Sequence, residues 1–138
     1  MNAPEFLDTN VLIYAYSPDD PRKQEIAREL LKRGVKGECI VSVQVLAELA
    51  ATLLHKIKPP TPPEEVADVI DLLATIPTVQ PDADAVRRAV QAHQHYKVHF
   101  YDGMIIAAAE RAGCKKIWSE DLNAGQEYFG VRIENPFA

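Results

Sequence analysis

Asp8, Glu48, Asp102 and Asp121 are the acids of this sequence whose surroundings point to chemistry. Asp8 closes the short segment Glu5-Phe6-Leu7-Asp8 and opens the turn Asp8-Thr9-Asn10, while Asp121 stands two residues beyond the segment Lys116-Ile117-Trp118-Ser119. Ligands of open parallel sheets bind beyond the carboxyl ends of strands, which makes both positions candidates. Each also has a plain structural use: Asp8 and Asn10 can cap a helix, and Glu120-Asp121-Leu122-Asn123 has turn chemistry throughout. Asp102 shares a helical face with Ile105, Ile106 and Ala109, so an acid heads an apolar stripe. A helix N-terminus eases that charge, and a cation would satisfy it. Glu48 is the only acid on its helix, opposite the expected stripe Leu46, Ala50, Leu53 and Ile57 and beside Gln44 and His55. That is a solvated position unless the polar side of the helix lines a cleft. Four converging carboxylates repel one another and are tolerated mainly when divalent cations neutralise them. Oxygen-only donors favour Mg²⁺ or Mn²⁺, and such ions activate water and orient a phosphodiester. The chemistry that fits this quartet is phosphodiester hydrolysis.

The elements that must position these acids are legible from periodicity and caps. Glu5 to Asp8 reads as a strand, with Asn10 to Ala15 a helical turn after it. Asp20 and Pro21 open an amphipathic helix through Ile26, Ala27, Leu30 and Leu31 to Gly34. Cys39-Ile40-Val41 is a buried-type strand, and Ser42 caps a helix running to about Ile57. Thr61 and Glu64 stand in capping-box spacing with Pro62 at the first helical position, ahead of the stripe Val66, Val69, Ile70 and Leu73. Thr78 to Gln80 reads as a strand and Asp82 as the cap of a helix through Val86, Ala89, Val90 and Ala92. Tyr101 to Ala112 is a helix ended by Gly113, Lys116 to Ser119 a strand, and Val131 to Ile133 a last strand. Short strands alternating with helices argue for a parallel sheet covered by helices.

Composition narrows the function classes. The 138 residues, 47% hydrophobic and 25% charged, suit one domain, residues 1–138. The longest apolar run, Met104 to Ala109, is far short of the roughly 20 residues of a membrane span. The opening Met1-Asn2-Ala3-Pro4-Glu5-Phe6 lacks a secretory pattern, and Cys39 and Cys114 form no CxxC, so a cytoplasmic protein with packing cysteines is expected. A net charge of −5 excludes a broad basic nucleic-acid surface, so a phosphate substrate needs a metal or a local basic patch. Arg22, Lys23, Arg28, Lys32, Arg33 and Lys36 form the main basic cluster, either a solvated helix face or a guide for phosphates. No Lys or Arg lies between Pro59 and Val86, where Glu64, Glu65, Asp68, Asp71, Asp82 and Asp84 gather.

Taken in order and spacing, Asp8-Thr9-Asn10 after the first strand, Ser42 with Glu48 on the following helix, Phe100-Tyr101-Asp102-Gly103-Met104-Ile105-Ile106-Ala107-Ala108-Ala109, and Ser119-Glu120-Asp121-Leu122 resemble the PIN-domain ribonucleases. The subgroup they most resemble is the VapC-type toxin of bacterial toxin–antitoxin pairs, and the resemblance spans essentially the whole chain. It implies a three-layer α/β fold with a parallel, about five-stranded sheet covered by helices on both faces. It also implies a Mg²⁺-dependent endoribonuclease, with Mn²⁺ as the alternative ion and RNA as substrate. By the same resemblance Asp8, Glu48, Asp102 and Asp121 are the catalytic, metal-holding acids, with Thr9, Asn10 and Ser119 supporting them. A homodimer and a small cognate antitoxin in the active-site groove are the implied partners. Glu120 and Asp121 are adjacent, so either can be the fourth carboxylate; Asp121 keeps the Ser-x-Asp spacing.

Other readings have specific weaknesses. A haloacid-dehalogenase-type phosphatase needs a second Asp two residues after the first, where this chain has Asn10. A two-component receiver needs a paired acid and a lysine after a late strand, whereas Lys115 and Lys116 precede theirs. A non-catalytic PIN-fold module binding RNA or protein would not need all four acids. His95 and His99 have helical spacing, with His93 nearby, but neither a cysteine nor an obvious fourth ligand joins them, so they read as solvated or RNA-contacting. His99 and Tyr101 adjoin Asp102 and are candidate substrate contacts. Trp118 reads as core rather than as a base-stacking platform.

Overall fold

The computed structural model describes residues 3–138; Met1 and Asn2, part of the opening stretch read above, lie outside the described residues. β1 (Glu5–Leu7) runs straight into α1 (Thr9–Ala15), for which Asp8 is the N-cap, and α2 (Pro21–Val35) starts at Asp20, whose carboxylate accepts from the Lys23 amide. β2 (Cys39–Ser42) feeds α3 (Val43–His55), where the Ser42 hydroxyl accepts from Val45 N at 3.3 Å. α4 (Pro63–Leu73) and β3 (Thr78–Val79) follow, then the helical hairpin of α5 (Ala83–Tyr96) and α6 (Phe100–Arg111). β4 (Lys116–Trp118), β5 (Glu127–Tyr128) and β6 (Val131–Glu134) complete the described elements.

The sheet has the strand order β3-β2-β1-β4-β6-β5, parallel throughout except for the antiparallel β5–β6 pair. Topology then dictates the layers. The connections from β1 to β2 and from β2 to β3 step one way along the sheet, and the connection from β3 to β4 steps back. Right-handed crossovers in opposite directions put their helices on opposite faces, so α1 to α4 cover one face and the α5–α6 hairpin the other. The order reverses between β1 and β4, and the crevice at such a switch point, outside the carboxyl ends of the strands, is where open sheets bind ligands.

The core sits between sheet and helices. Phe6, Leu7, Val41, Ile117 and Ile133 from the strands are fully buried, as are Val45 and Leu49 of α3 and Ile106 and Ala109 of α6. Cys39 and Cys114 are buried free thiols in this packing. No described helix is long and apolar enough to cross a membrane.

Four expectations need correction. The sheet has six strands rather than about five, because β5 is a two-residue strand too short to show alternation. Thr61 does not cap α4: Pro62 takes that place without a side-chain bond, and the Thr61 amide instead donates to Leu53 O at 2.9 Å. The buried stripe of α3 is Val45, Leu49 and Leu53, with Leu46, Ala50 and Ile57 only partly covered. Trp118 is half-buried, its indole N–H donating to Glu5 Oε1 at 2.6 Å.

Candidate active site

Residues from four segments meet at the crevice between β1 and β4. Asp8 and Ser119 lie side by side because Leu7 pairs with Trp118 and the Asp8 amide donates to Trp118 O at 3.0 Å. The Asp8 side chain is 6% exposed; Thr9 N donates to its Oδ1 and Ser119 Oγ to its Oδ2, both at 2.8 Å. Burial pushes the Asp8 carboxyl up to about 6; these hydrogen bonds pull against the rise, and the charges of Glu48 and Asp102 add to it. Asp8 is therefore a poorly compensated buried acid.

Asn10 ties the crevice together. Its amide nitrogen approaches Asp8 Oδ2 and Ser119 Oγ at 3.3 Å each and donates to Asp121 Oδ2 at 3.1 Å, while its Oδ1 accepts from Glu120 N at 2.9 Å. One side chain thus orients two carboxylates and fixes the loop after β4. Ser119 is fully buried and accepts from Leu122 N at 3.3 Å as well, so it supports the site from beneath.

The other two acids arrive from opposite layers. Asp102, half-buried in the first turn of α6, has its carboxyl raised by burial and by Asp121, with His99 acting in the opposite direction. Glu48 comes from α3, where residues four apart form a ridge along one side of the helix. Gln44 Nε2 donates to Glu48 Oε1 at 2.6 Å and to Tyr101 O at 3.0 Å, joining α3 to α6 across the crevice. Asp8, Glu48, Asp102 and Asp121 all line one cleft of about 200 Å³, together with Thr9, Asn10, Ile13, Thr52, Lys56 and Ile105.

Thr52 and Lys56 are the polar lining residues that sequence reasoning missed. The i, i+4 series Gln44, Glu48, Thr52, Lys56 carried the signal, since a cleft at Glu48 brings the rest of its ridge with it. Glu120 belongs elsewhere. It bonds Lys23 and accepts from the Tyr14 hydroxyl at 2.6 Å; burial opposes its charge, yet these two partners hold its carboxyl below the usual range.

The donors suit a hard cation. All four acids offer oxygen only, and they lie close enough for Glu48 and Asp102 to raise Asp8 and for Asp121 to raise Asp102. The Thr9 hydroxyl is buried without a hydrogen-bond partner. Among the described residues no group of three or more His, Cys, Asp or Glu is already drawn together to hold a metal ion. The carboxylates are nonetheless in electrostatic reach of one another.

The family model for the PIN domain matches residues 6–126. This chain belongs to the PIN-domain family. Solved toxin structures are among those that share its fold. The DNA-bound VapBC of Salmonella typhimurium has a TM-score of 0.71 at 21% identity, covering 98% of this chain and 99% of that one. A toxin–antitoxin complex from Klebsiella pneumoniae gives 0.68 at 19% identity, with 96% and 97% covered. VapC20 of Mycobacterium tuberculosis, a sarcin-ricin loop cleaving toxin, gives 0.66 at 16% identity, with 85% and 89% covered. No curated protein sequence matches the chain significantly.

Two further sequence expectations resolve within this PIN domain. Most of the basic cluster on α2 makes contacts within the chain: Arg33 with Glu5 and Glu38, Lys23 with Glu120, Arg28 with Ala15 O, Arg22 with Phe137 O and, at the surface, Lys32 with Glu29. His95 and His99 do not share a helix. α5 ends at Tyr96, Lys97 takes a left-handed turn at φ 63°, and His99 becomes the N-cap of α6.

Proposed function

We propose that this PIN domain is a divalent-cation-dependent endoribonuclease and the toxin of a toxin–antitoxin pair. The observation that carries the reading is the lining of one cleft by Asp8, Glu48, Asp102 and Asp121, at the point where strand order reverses. Asp8 and Asp102 would hold Mg²⁺ or Mn²⁺, with Glu48 and Asp121 completing the shell. When bound, the ion neutralises the acids and supplies Lewis acidity to a phosphodiester and to the attacking water. The chain's own residues prepare that step. Ser119 and Thr9 N fix the two oxygens of Asp8, Asn10 sets the separation of Asp8 from Asp121, and Gln44 holds Glu48 against the start of α6. Lys56, the only basic residue among the described residues that line the cleft, offers a charge to a substrate phosphate.

RNA as substrate is supported by the shared fold with VapC20, and a small antitoxin partner by the toxin–antitoxin complexes among the solved structures. The decisive experiment is incubation of total cellular RNA with purified protein in Mg²⁺, in Mn²⁺, in chelator, and with Asp102→Asn in parallel. Cleavage by the wild type with metal alone is expected. Undiminished cleavage by Asp102→Asn would remove that residue from the site, and no cleavage with either ion would favour a non-catalytic PIN module.

A further inference from the structure

Tyr101 is the most exposed large apolar side chain among the described residues, at 60%. It occupies the first turn of α6, immediately before Asp102, and it is held in place. Its ring lies nearly parallel to that of His99, with centroids 5.8 Å apart and planes inclined by 23°, and Phe100 meets it edge-on at 5.2 Å. The backbone is pinned as well: Tyr101 N donates to His99 Nδ1 at 3.2 Å, and Tyr101 O accepts from Gln44 at 3.0 Å. The same Gln44 nitrogen donates to Glu48, so the aromatic pair is fixed relative to two acids of the cleft, Asp102 through the chain and Glu48 through Gln44.

An aromatic ring backed by a second ring and left open to solvent has a free π-face. Beside a phosphodiester site, the group one ribose away from the scissile phosphate is a nucleobase. Base–aromatic stacking tolerates any base and adds no charge to an acidic cleft. We propose that His99 and Tyr101 form a stacking subsite for the unpaired nucleobase flanking the scissile phosphate. The subsite rests on the nuclease reading and deepens it: the substrate is RNA whose bases are splayed out, as in a loop or single strand, because a paired base in an A-form helix presents no free face.

The test separates stacking from turnover by measuring binding in the Asp102→Asn background, with Mg²⁺ present. The probes are a short oligouridylate, which stacks little on itself, and an abasic ribose-phosphate oligomer of equal length and charge. The base-bearing oligomer should bind about five- to a hundred-fold more tightly. Adding Tyr101→Ala should erase that preference while leaving affinity for the abasic oligomer unchanged, and Tyr101→Trp should preserve it. Tyr101 is exposed, so neither change threatens the fold. Equal binding of both oligomers, or a preference that survives Tyr101→Ala, would overturn the subsite and leave the ring pair as a contact for a protein partner. A preference that depends on Tyr101, in a protein whose wild type cleaves no RNA with either ion, would uphold base stacking at Tyr101 but overturn its place beside a scissile phosphate together with the nuclease reading.

Discussion

Ser119 donates its hydroxyl proton to Asp8 across the β1–β4 junction at 2.8 Å, and even so the Asp8 carboxyl holds its proton up to about pH 6. Burial and the charges of Glu48 and Asp102 outweigh the hydrogen bonds. Between the ordinary value of 3.8 and about 6, folded Asp8 is protonated while the unfolded chain has released its proton. The folded state binds more protons in that window, so its stability falls as pH rises through it, by about 3 kcal/mol once Asp8 is ionised. Asp8→Asn removes the cost. An asparagine oxygen still accepts from Thr9 N, and its amide can donate to Ser119 Oγ. In metal-free buffer, thermal or urea unfolding of the two proteins should therefore diverge, with the advantage of Asp8→Asn growing from about pH 4 to 7 and then levelling. A gap independent of pH would show that the Asp8 carboxyl titrates alike in the folded and the unfolded chain.

Metal should reverse that penalty. A cation held by Asp8 and Asp102, as proposed, would bind the folded state and compete with the Asp8 proton, so Mg²⁺ should raise the melting temperature well above pH 6 and lose this effect below it. Chelator should abolish the gain, and Asp102→Asn should weaken it at every pH. Equal stabilisation of wild type and Asp102→Asn would place the ion elsewhere.

The two neighbouring acids after β4 should separate cleanly. Asp121 lines the cleft and accepts from Asn10, whereas Glu120 is bound to Lys23 and Tyr14. Asp121→Asn should lower RNA cleavage with little change in stability. Glu120→Gln should leave cleavage intact and cost about 1 kcal/mol of stability, since that ion pair is only partly exposed. Cleavage assays beside urea titrations check both, and the opposite pattern would make Glu120 the fourth carboxylate.

These residues differ in how far the sequence exposed them. Asp8 and Asp121 were legible because each follows a strand-like segment, and Asp102 because it heads an apolar helical stripe. The order of strands and helices implied the parallel sheet. Glu48 was not legible in this way. Leu46, Ala50 and Ile57 suggest a stripe that leaves Glu48 in solvent, and Glu48 is exposed; but α3 turns Val45 and Leu49 inward, and the exposed ridge beside them lines the cleft. Local periodicity could not choose between the two faces of a helix that is apolar on most sides. Thr52 and Lys56 were hidden for the same reason, and β5 because two residues have no period.

Gly103 tests how tightly Asp102 is set. A Cβ built there would lie 2.7 Å from Ala89 O and 3.3 Å from Ala89 Cα, so α5 backbone fills the space a side chain would need. Gly34 is also helical, but its Cβ would meet Ile76 Cδ1 at 3.0 Å, the tip of a flexible side chain. Replacing either glycine by alanine gains about 1 kcal/mol of helix propensity. At Gly34 a small shift of Ile76 should preserve most of that gain. At Gly103 the helices must separate, a strain of about 1–3 kcal/mol that consumes the gain or exceeds it and moves the first turn of α6 with Asp102 on it. Urea midpoints should therefore rank Gly34→Ala above Gly103→Ala. RNA cleavage, dependent on the position of Asp102, should fall only in Gly103→Ala, and full activity in that variant would mean that the α5–α6 contact does not set the site.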